Sequence, residues 1–340
     1  IFPNRDRQQV NLPEPVMNIA YFPFERGPYN FNTQLTPDGF LPNPENNWAG
    51  ITRAVNNYDT DFDNMNYQYL EFWMMDPFID GDNGKVIDGV FNQNNSTGGK
   101  LQFHLGSVSE DVMKNGKHDF EQGLPVPSPP NPLTPSNQYE VTNWGRSTTQ
   151  QYLTNAFASQ PGARSAQDVG LDGLNNDQER QFFTQFLNAA RQRVTNPQAL
   201  ARIEADPAGD DFRFYLGDEQ NNANAKITER YKQFNGQENN SPDNSTTLNA
   251  SSYTIPDNED LNQNNTLNDV EEYFKYELDL RPGNMRVGSN FIINVIDENV
   301  VDETGARTNE VVKWYQFRIP LREGFEKVGN IENFKSIRFM

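Results

Sequence analysis

Apolar and polar residues alternate near both ends of the chain, and this period-two pattern restricts the possible folds more than any other feature. Residues 100–105 place Leu101, Phe103 and Leu105 on one face of a strand, and residues 274–280 repeat the pattern. Such segments, joined by long polar loops, predict a mainly β fold built as an antiparallel, jelly-roll-like β-sandwich. The other predicted strands are residues 67–75, expected to be buried on both faces, and residues 291–296, 311–320 and 336–340. The predicted core residues are Phe72, Phe103, Tyr276, Leu278 and Phe317.

The middle of the chain has a different pattern. Residues 124–135 contain too many prolines for an interior strand or helix, because each proline removes a backbone donor. From Asp177 onward, apolar residues recur at helical spacing and predict an amphipathic helix that ends near Pro197. A shorter helix is predicted over residues 226–234. The predicted division is a β-sandwich core of residues 1–109 and 270–340, interrupted by a partly α-helical, loop-rich insertion of residues 110–269.

The chain is strongly acidic and contains no cysteine. Its 28 Lys and Arg residues against 47 Asp and Glu residues give a net charge of −19, which argues against nucleic acid and anionic membrane surfaces as partners. The lack of cysteine excludes disulfides, thiolate metal sites and cysteine nucleophiles. No apolar run approaches the roughly 18 residues of a membrane helix. Since the chain opens with Ile1 rather than Met, we expect a segment of a longer exported protein.

Residues 260–271 fit the spacing of a twelve-position calcium loop. Side-chain oxygens fall at positions one, three, five and nine, and a Glu follows at position twelve. Asn265 stands where the motif usually has Gly, and the small number of carboxylates predicts weak calcium affinity. A turn in which the Asp and Asn side chains accept backbone amides explains the same residues equally well. The candidate calcium ligands are Asp260, Asn262, Asn264, Thr266, Asn268 and Glu271.

Residues 168–179 resemble the same loop more loosely. Gly173 stands where the turn requires it, but position three is Gly170, which offers no side-chain oxygen. The favoured interpretation is therefore structural, with Asn176 or Asp177 capping the amphipathic helix. The weaker set of candidate metal ligands is Asp168, Asp172, Asn176 and Glu179.

Motifs for catalysis are missing from the sequence. It has two histidines, His104 and His118, and it lacks a nucleophile elbow, a phosphate loop and a dinucleotide fingerprint. His104 is expected to be exposed on the polar face of a strand. We therefore expect that the protein is not an enzyme. Of the four tryptophans, Trp48 has the sequence context most typical of an exposed loop.

Several strings of unusual composition stand out along the chain: residues 25–30, 41–51, 71–78, 106–111, 172–174, 265–268 and 329–339. These strings resemble the SprA family, also called Sov, the outer-membrane translocon of the Bacteroidetes type IX secretion system. The resemblance implies a role in protein secretion and gliding motility. The implied partners are the remainder of a large transmembrane barrel, a second outer-membrane barrel protein, a periplasmic plug, and secreted proteins in transit. Because the chain lacks the regular ten-residue alternation of barrel walls, we expect a soluble segment facing the periplasm or the exterior.

A second hypothesis comes from the order of the β segments. Residues 48–55, then residues 67–75 and a late pair of strands, also resemble a jelly-roll carbohydrate-binding module, in which a structural calcium is common. The chain is then either a structural and gating part of a secretion pore or a glycan-binding module at the cell surface. An exposed aromatic platform on one sandwich face would favour glycan binding, and two covered faces would favour the pore.

Overall fold

The computed structural model describes residues 16–55, 58–121, 139–149, 170–235, 257–301 and 306–340. Within these residues there is more strand than helix, and the sheets are antiparallel, so the predicted mainly β class is confirmed. The strands are β1 (Tyr69–Met75), β2 (Lys85–Ile87), β3 (Asn92–Asn94), β4 (Gly99–Ser107), β5 (Tyr139–Val141), β6 (Arg146–Thr148), β7 (Glu272–Leu280), β8 (Ile292–Val301), β9 (Arg307–Pro320) and β10 (Glu326–Val328). The helices are α1 (Asn176–Phe182), α2 (Thr184–Arg193), α3 (Pro197–Ala205), α4 (Asp218–Asn222) and α5 (Ile227–Tyr231).

The described residues divide into two compact units. Unit 1 contains residues 16–21, 55–107 and 271–340, and unit 2 contains residues 22–54 and 108–270, each with the gaps given above. The predicted division placed residues 22–54 in the sandwich, which is wrong. Their apolar side chains Leu35 and Leu41 are buried in the helical core of unit 2, and Tyr29 donates its backbone N–H to Ala208 O at 2.7 Å.

Unit 1 contains two three-stranded sheets with one core. β1, β9 and β8 form the first sheet, and β10, β7 and β4 form the second. The register of β4 on β7 sets Leu105 opposite Phe274, so the alternating apolar residues of both strands share a face. Phe72 stacks on Phe317 of its own sheet, with ring centroids 4.8 Å apart. The Phe72 ring also lies 5.4 Å from Phe103 of the other sheet, so both sheets contribute to the core.

The predicted core residues of unit 1 are found in this cluster. Tyr276, Leu278 and Phe317 are fully buried, whereas Phe72 and Phe103 are partly buried and pack against the cluster. The Tyr276 hydroxyl donates to Leu321 O at 2.7 Å, which satisfies the one polar group this side chain brings into the core. The described strands of the two sheets number six, whereas a jelly roll has eight, so the jelly-roll connectivity stays a prediction.

Three β predictions for unit 1 are wrong in detail. β1 is an edge strand, and its residues are exposed or half-buried rather than buried on both faces. Glu71, for example, forms an ion pair with Arg318 at 2.6 Å. Residues 48–55 form no strand. Residues 336–340 contribute only a bridge between Phe339 and Gly106, since Arg338 and Phe339 both donate to the single Gly106 carbonyl instead of continuing a ladder.

Unit 2 has a helical core where one long helix was predicted. The predicted helix is divided at Phe183 into α1 and α2, and α2 ends at Arg193. Pro197, where the helix was predicted to end, is instead the first residue of α3. Proline suits this position since its missing N–H would have no helical partner there, and the Asn196 side chain caps the next amides. The apolar faces of α2 and α3 belong to the same buried cluster as Leu35 and Leu41.

The remaining predictions for unit 2 fall partly outside the described residues. The predicted helix over residues 226–234 is the shorter α5, Ile227–Tyr231. The predicted proline-rich segment, residues 124–135, and the polar segment, residues 237–247, lie outside the described part of the chain.

Candidate metal centre

Three acidic side chains of unit 2 meet in the interior. Asp172, Glu179 and Asp210 expose 1%, 0% and 1% of their surface. One carboxylate oxygen from each lies within 4.8 Å of those of the other two. The three residues come from separate places: a turn before α1, the helix α1 itself, and a turn after α3. A set of oxygens this close can hold a hard cation.

A turn fixes Asp172. Its Oδ1 accepts the backbone N–H of Leu174 at 2.9 Å, and Gly173 between them has a φ of 64°, which glycine adopts without strain. The backbone carbonyl of Asp172 accepts the N–H of Arg146 at 2.7 Å, which ties the turn to strand β6. The position of this carboxylate is therefore set by backbone contacts on both sides.

Helix α1 presents Glu179 inward. Asn175 caps the helix, its Oδ1 accepting from Gln178 N while Gln178 Oε1 accepts from Asn175 N, both at 3.1 Å. One turn later, Glu179 Oε2 accepts the backbone N–H of Ala208 at 2.8 Å. The Oε1 atom of Glu179 is buried and has no hydrogen-bond partner. This oxygen is available to a ligand.

The turn after α3 supplies Asp210. Asp206 begins the turn, and its carboxylate accepts the backbone amides of Gly209, Asp210 and Asp211 at 2.7, 3.2 and 3.2 Å. The Asp210 Oδ2 atom is buried and without a hydrogen-bond partner. A Cβ atom added to Gly170 would lie 1.8 Å from this oxygen, so the backbone at Gly170 can pass the carboxylate only because the residue has no side chain.

Burial and mutual repulsion favour the neutral form of Glu179 and Asp210. Burial, together with the charges of Asp206 and Asp211, raises the pKa of Glu179 to about 8. Burial also raises the pKa of Asp210 well above its ordinary value, with Asp172 and Glu179 adding to the effect. Both carboxyl groups therefore favour the protonated form when no cation is bound.

Arg26 is the cation that opposes this cluster. Its guanidinium donates to the carbonyl oxygens of Asn30 and Pro207 at 3.1 and 2.5 Å and to that of Asp206 at 3.2 Å. Burial lowers the pKa of Arg26, and the charges of Asp206, Glu179 and Asp210 act in the opposite direction. Arg26 thus offsets negative charge from a distance, while its hydrogen bonds go to the backbone.

The predicted loop at residues 260–271 is organised as a turn. Asp260 is buried, and its two carboxylate oxygens accept the amides of Asn264 and Asn265 at 3.0 and 2.6 Å. Asn264 Oδ1 likewise accepts the amide of Thr266 at 2.8 Å. Asn265 has a φ of 60°, the left-handed geometry in which Asn replaces Gly. These contacts are those of the structural interpretation, and calcium binding by the loop stays a prediction.

The other predicted ligands of that loop make contacts with different partners. Asn262 Oδ1 accepts the Asn264 amide at 3.1 Å, Asn268 donates its side-chain amide to Glu110 at 2.5 Å, and Glu271 is exposed. Glu110 was not predicted. Its buried carboxylate accepts the amides of Leu261, Asn262 and Asn268 at 2.9, 3.3 and 3.0 Å, although 150 residues separate the two segments in sequence.

The weaker predicted loop contributes two of its four candidates to the buried cluster. Asp172 and Glu179 belong to it, and Asp168 lies outside the described residues. Asn176 is half-buried, and its side-chain amide donates to Asp211 at 2.8 Å in a solvent-exposed hydrogen bond. The helix cap is Asn175, so the predicted cap at Asn176 or Asp177 is wrong.

Asp210 was missed by sequence reasoning. It lies more than 30 residues from Asp172 along the chain, outside any twelve-residue motif. The acid-rich string Asp206-Pro-Ala-Gly-Asp-Asp directly after a helical segment was the available signal. Its three Asp residues read equally well as a helix-terminating turn, and Asp206 does have that role.

The two histidines pack against aromatic rings, and the tryptophan predicted to be exposed lies at the surface. His104 is half-buried rather than exposed, because its ring stacks on Tyr273 with centroids 4.2 Å apart. Burial lowers the pKa of His104, and the neighbouring Lys275 lowers it further. His118 packs against Phe120 at 4.4 Å. Trp48 is 83% exposed, as predicted.

Part of the chain matches a known protein family. Residues 185–340 match the SprA_N family model, described as motility related/secretion protein. The chain matches no curated protein. No helix in the described part of the chain is long and apolar enough to cross a membrane.

Proposed function

We propose that the chain is a non-catalytic structural and gating part of the SprA outer-membrane translocon. The premise is the family match, which makes residues 185–340 a SprA-related segment of a secretion and motility protein. In this role it serves type IX protein secretion and gliding motility. Its partners are the remainder of the SprA barrel, the outer-membrane barrel partner, the periplasmic plug and secreted proteins in transit. The observation that carries the proposal is the family match, which covers the end of unit 2 and the late strands of unit 1.

The contacts made by the buried carboxylates and the two histidines support a non-catalytic role. Buried carboxylates such as Glu110 and Glu259 accept backbone amides, so they hold loops in place. His104 and His118 pack against aromatic rings. A catalytic base would instead be aimed at a nucleophile or a substrate cleft.

The decisive experiment uses the full-length protein in the bacterium. The codons for these 340 residues are deleted in frame, and the remaining protein is quantified in the outer-membrane fraction by immunoblot. We expect cargo proteins to disappear from the medium and gliding to stop, with the rest of the translocon still present. Wild-type secretion and gliding in a strain whose truncated protein still reaches the outer membrane would overturn the proposal.

A matched pair of point variants separates a requirement for the folded segment from an effect of deletion. Phe317 is fully buried in unit 1, whereas Val287 of the same unit is 53% exposed. Phe317→Ala should reduce secretion and gliding together, and Val287→Ala should leave both unchanged. The chain has no cysteine. Single cysteines introduced at exposed positions of the purified chain can therefore be cross-linked to cargo proteins without competition from another thiol of the chain.

Glycan binding is the second candidate, and the exposure of Trp48 is the observation that favours it. An exposed aromatic ring can stack on the apolar face of a sugar. On the outer face of the first sheet of unit 1, however, the Glu71 carboxylate is bound by both Gln316 and Arg318 at 2.6 Å, so an ion pair lies on this sheet face. Retention of the purified chain on immobilised bacterial surface polysaccharide, lost in Trp48→Ala, would establish glycan binding in place of a purely structural role.

A further inference from the structure

The buried carboxylates of unit 2 leave two oxygen atoms without a donor. Glu179 Oε1 and Asp210 Oδ2 are buried and have no hydrogen-bond partner, while both residues are at least 99% buried. Buried acceptors in folded proteins nearly always have a partner, and a missing partner calls for an explanation such as an ion. Both oxygens belong to the cluster in which Asp172 brings a third carboxylate within 4.8 Å.

Burial of the cluster also makes its negative charge costly. Three carboxylates removed from water are strongly unfavourable unless they are neutralised by protons or by cations. Asp206 and Asp211 add further negative charge nearby. Arg26 carries a positive charge close to the cluster, but its hydrogen bonds go to backbone carbonyls. A divalent cation would offset two more of these negative charges.

We propose that Asp172, Glu179 and Asp210 bind a calcium ion. The ligand atoms are all carboxylate oxygens. Hard cations such as calcium prefer these ligands, whereas zinc and copper favour nitrogen and sulfur ligands. Calcium binds oxygen at about 2.3–2.6 Å, so two ligands on opposite sides of the ion are up to about 5 Å apart. The spacing of the cluster, within 4.8 Å, fits this range. Magnesium, with bonds of about 2.0–2.1 Å and strict octahedral geometry, would require the carboxylates to move closer.

This site differs from both calcium loops suggested by the sequence. It draws its ligands from three segments of unit 2, so the ion would connect the turn before α1, α1 itself and the turn after α3. The backbone at Gly170 closes one side, since a Cβ there would lie 1.8 Å from Asp210 Oδ2 and 2.8 Å from the Tyr29 hydroxyl. Calcium would thus stabilise the part of unit 2 that lacks sheet pairing.

Thermal unfolding of the 340-residue chain, in calcium and in chelator, tests the proposal. At one hundred times the dissociation constant, we expect calcium to raise Tm by roughly 5–10 °C for a domain of this size. Asp210→Asn and Glu179→Gln should each remove that rise, because each loses a ligand charge. Coincident melting curves for the wild type in calcium and in chelator would overturn the proposal and leave the cluster held by protons.

Two matched variants locate the ion. Glu259 is a buried acid of the same unit whose two oxygens already accept the amides of Met113 and Asp119, both at 2.9 Å. Glu259→Gln should therefore keep the full calcium shift even if the protein is less stable. Asp260→Asn should keep it as well. A shift lost in Asp260→Asn and retained in Asp210→Asn would overturn the assignment in favour of the loop at residues 260–271.

A direct measurement of bound calcium tests the site without relying on the melting temperature of a destabilised variant. Equilibrium dialysis of the wild type should give one tightly held ion per chain, and Gly170→Ala should lose it, since the new methyl group displaces Asp210 without changing any charge. Far-UV circular dichroism verifies that this variant is folded. An unchanged ion count in a folded Gly170→Ala protein would overturn the site, and equal responses to magnesium and calcium would overturn the choice of ion.

Discussion

Unit 1 is stabilised by apolar faces, and unit 2 depends to a large extent on buried carboxylates. In unit 1 the two sheets close over aromatic and aliphatic side chains such as Phe274, Tyr276 and Phe317. Of the nine buried Asp and Glu residues in the described part of the chain, eight lie in unit 2 and only Asp88 lies in unit 1. The two units therefore solve the same problem, the burial of backbone polar groups, in different ways.

The difference follows from the amount of regular structure. Sheet ladders satisfy the amides and carbonyls of unit 1 without help from side chains. Much of unit 2 is irregular, so its amides need other acceptors, and Glu110, Glu259 and Asp260 provide them. A short carboxylate can accept two or more amides at once, which suits loops that form no ladder.

The largest expected effect comes from breaking the apolar side of this comparison. Phe317 is fully buried and stacked on Phe72, so Phe317→Ala should lower the free energy of unfolding by about 3–5 kcal/mol. Phe103 is only partly buried, and Phe103→Ala should cost less. Urea unfolding followed by tryptophan fluorescence measures both. Equal costs for the two variants would mean that the core is not centred on Phe317.

The corresponding change in unit 2 removes an acceptor. Glu110→Ala leaves three backbone amides, those of Leu261, Asn262 and Asn268, without their carboxylate. We expect a loss of about 2–3 kcal/mol, because buried unpaired donors are costly. Amide hydrogen exchange should accelerate at residues 261–268 and remain unchanged in β7. Uniform acceleration across both units would contradict the local role.

The pH dependence of stability tests the carboxylates without removing atoms. Burial raises the pKa of Glu259 to about 8, with Asp119 and Asp111 adding repulsion. The unfolded chain releases this proton near its ordinary pKa of 4.5, so the folded state binds more protons between these values. The contribution of Glu259 to stability is therefore complete below pH 4.5 and is lost as pH rises towards 8.

We expect this loss to amount to about 2 kcal/mol between about pH 6 and pH 7.5, since the folded state holds nearly one proton more across this interval and each pH unit then corresponds to about 1.4 kcal/mol. Denaturant unfolding at a series of pH values measures the slope. Glu259→Gln cannot titrate, so its curve should be flatter than that of the wild type. Parallel curves for the two proteins would show that Glu259 is ionised in the folded state throughout this range.

The smallest effect is expected at the helix that carries Glu179. Asn175→Ala removes the cap and the reciprocal bond with Gln178, and should cost about 1 kcal/mol. Asn176→Ala removes only a solvent-exposed bond to Asp211 and should cost close to nothing. Thermal melts of both variants compare the two neighbouring positions. A larger cost at Asn176 would mean that the helix begins one residue later.

The period-two segments were sufficient to predict the mainly β class and the core residues Tyr276, Leu278 and Phe317. They could not show that β1 is an edge strand, because an aromatic-rich segment has the same pattern whether one or both faces are covered. Helical spacing likewise predicted the apolar face of α2 but not the break at Phe183 or the start of α3 at Pro197.

The sequence by itself determined the approximate positions of β4, β7, β9 and α2, because their periodicity is local and each residue reports its own face. Only the tertiary structure decided which acids come together. Asp172 and Glu179 were visible in one short loop, but Asp210 joins them through the packing of α3 against α1, a contact between distant parts of the chain. The same holds for Glu110 and the turn at Asn268. Carboxylates have no period, so their meeting depends on packing and not on spacing along the chain.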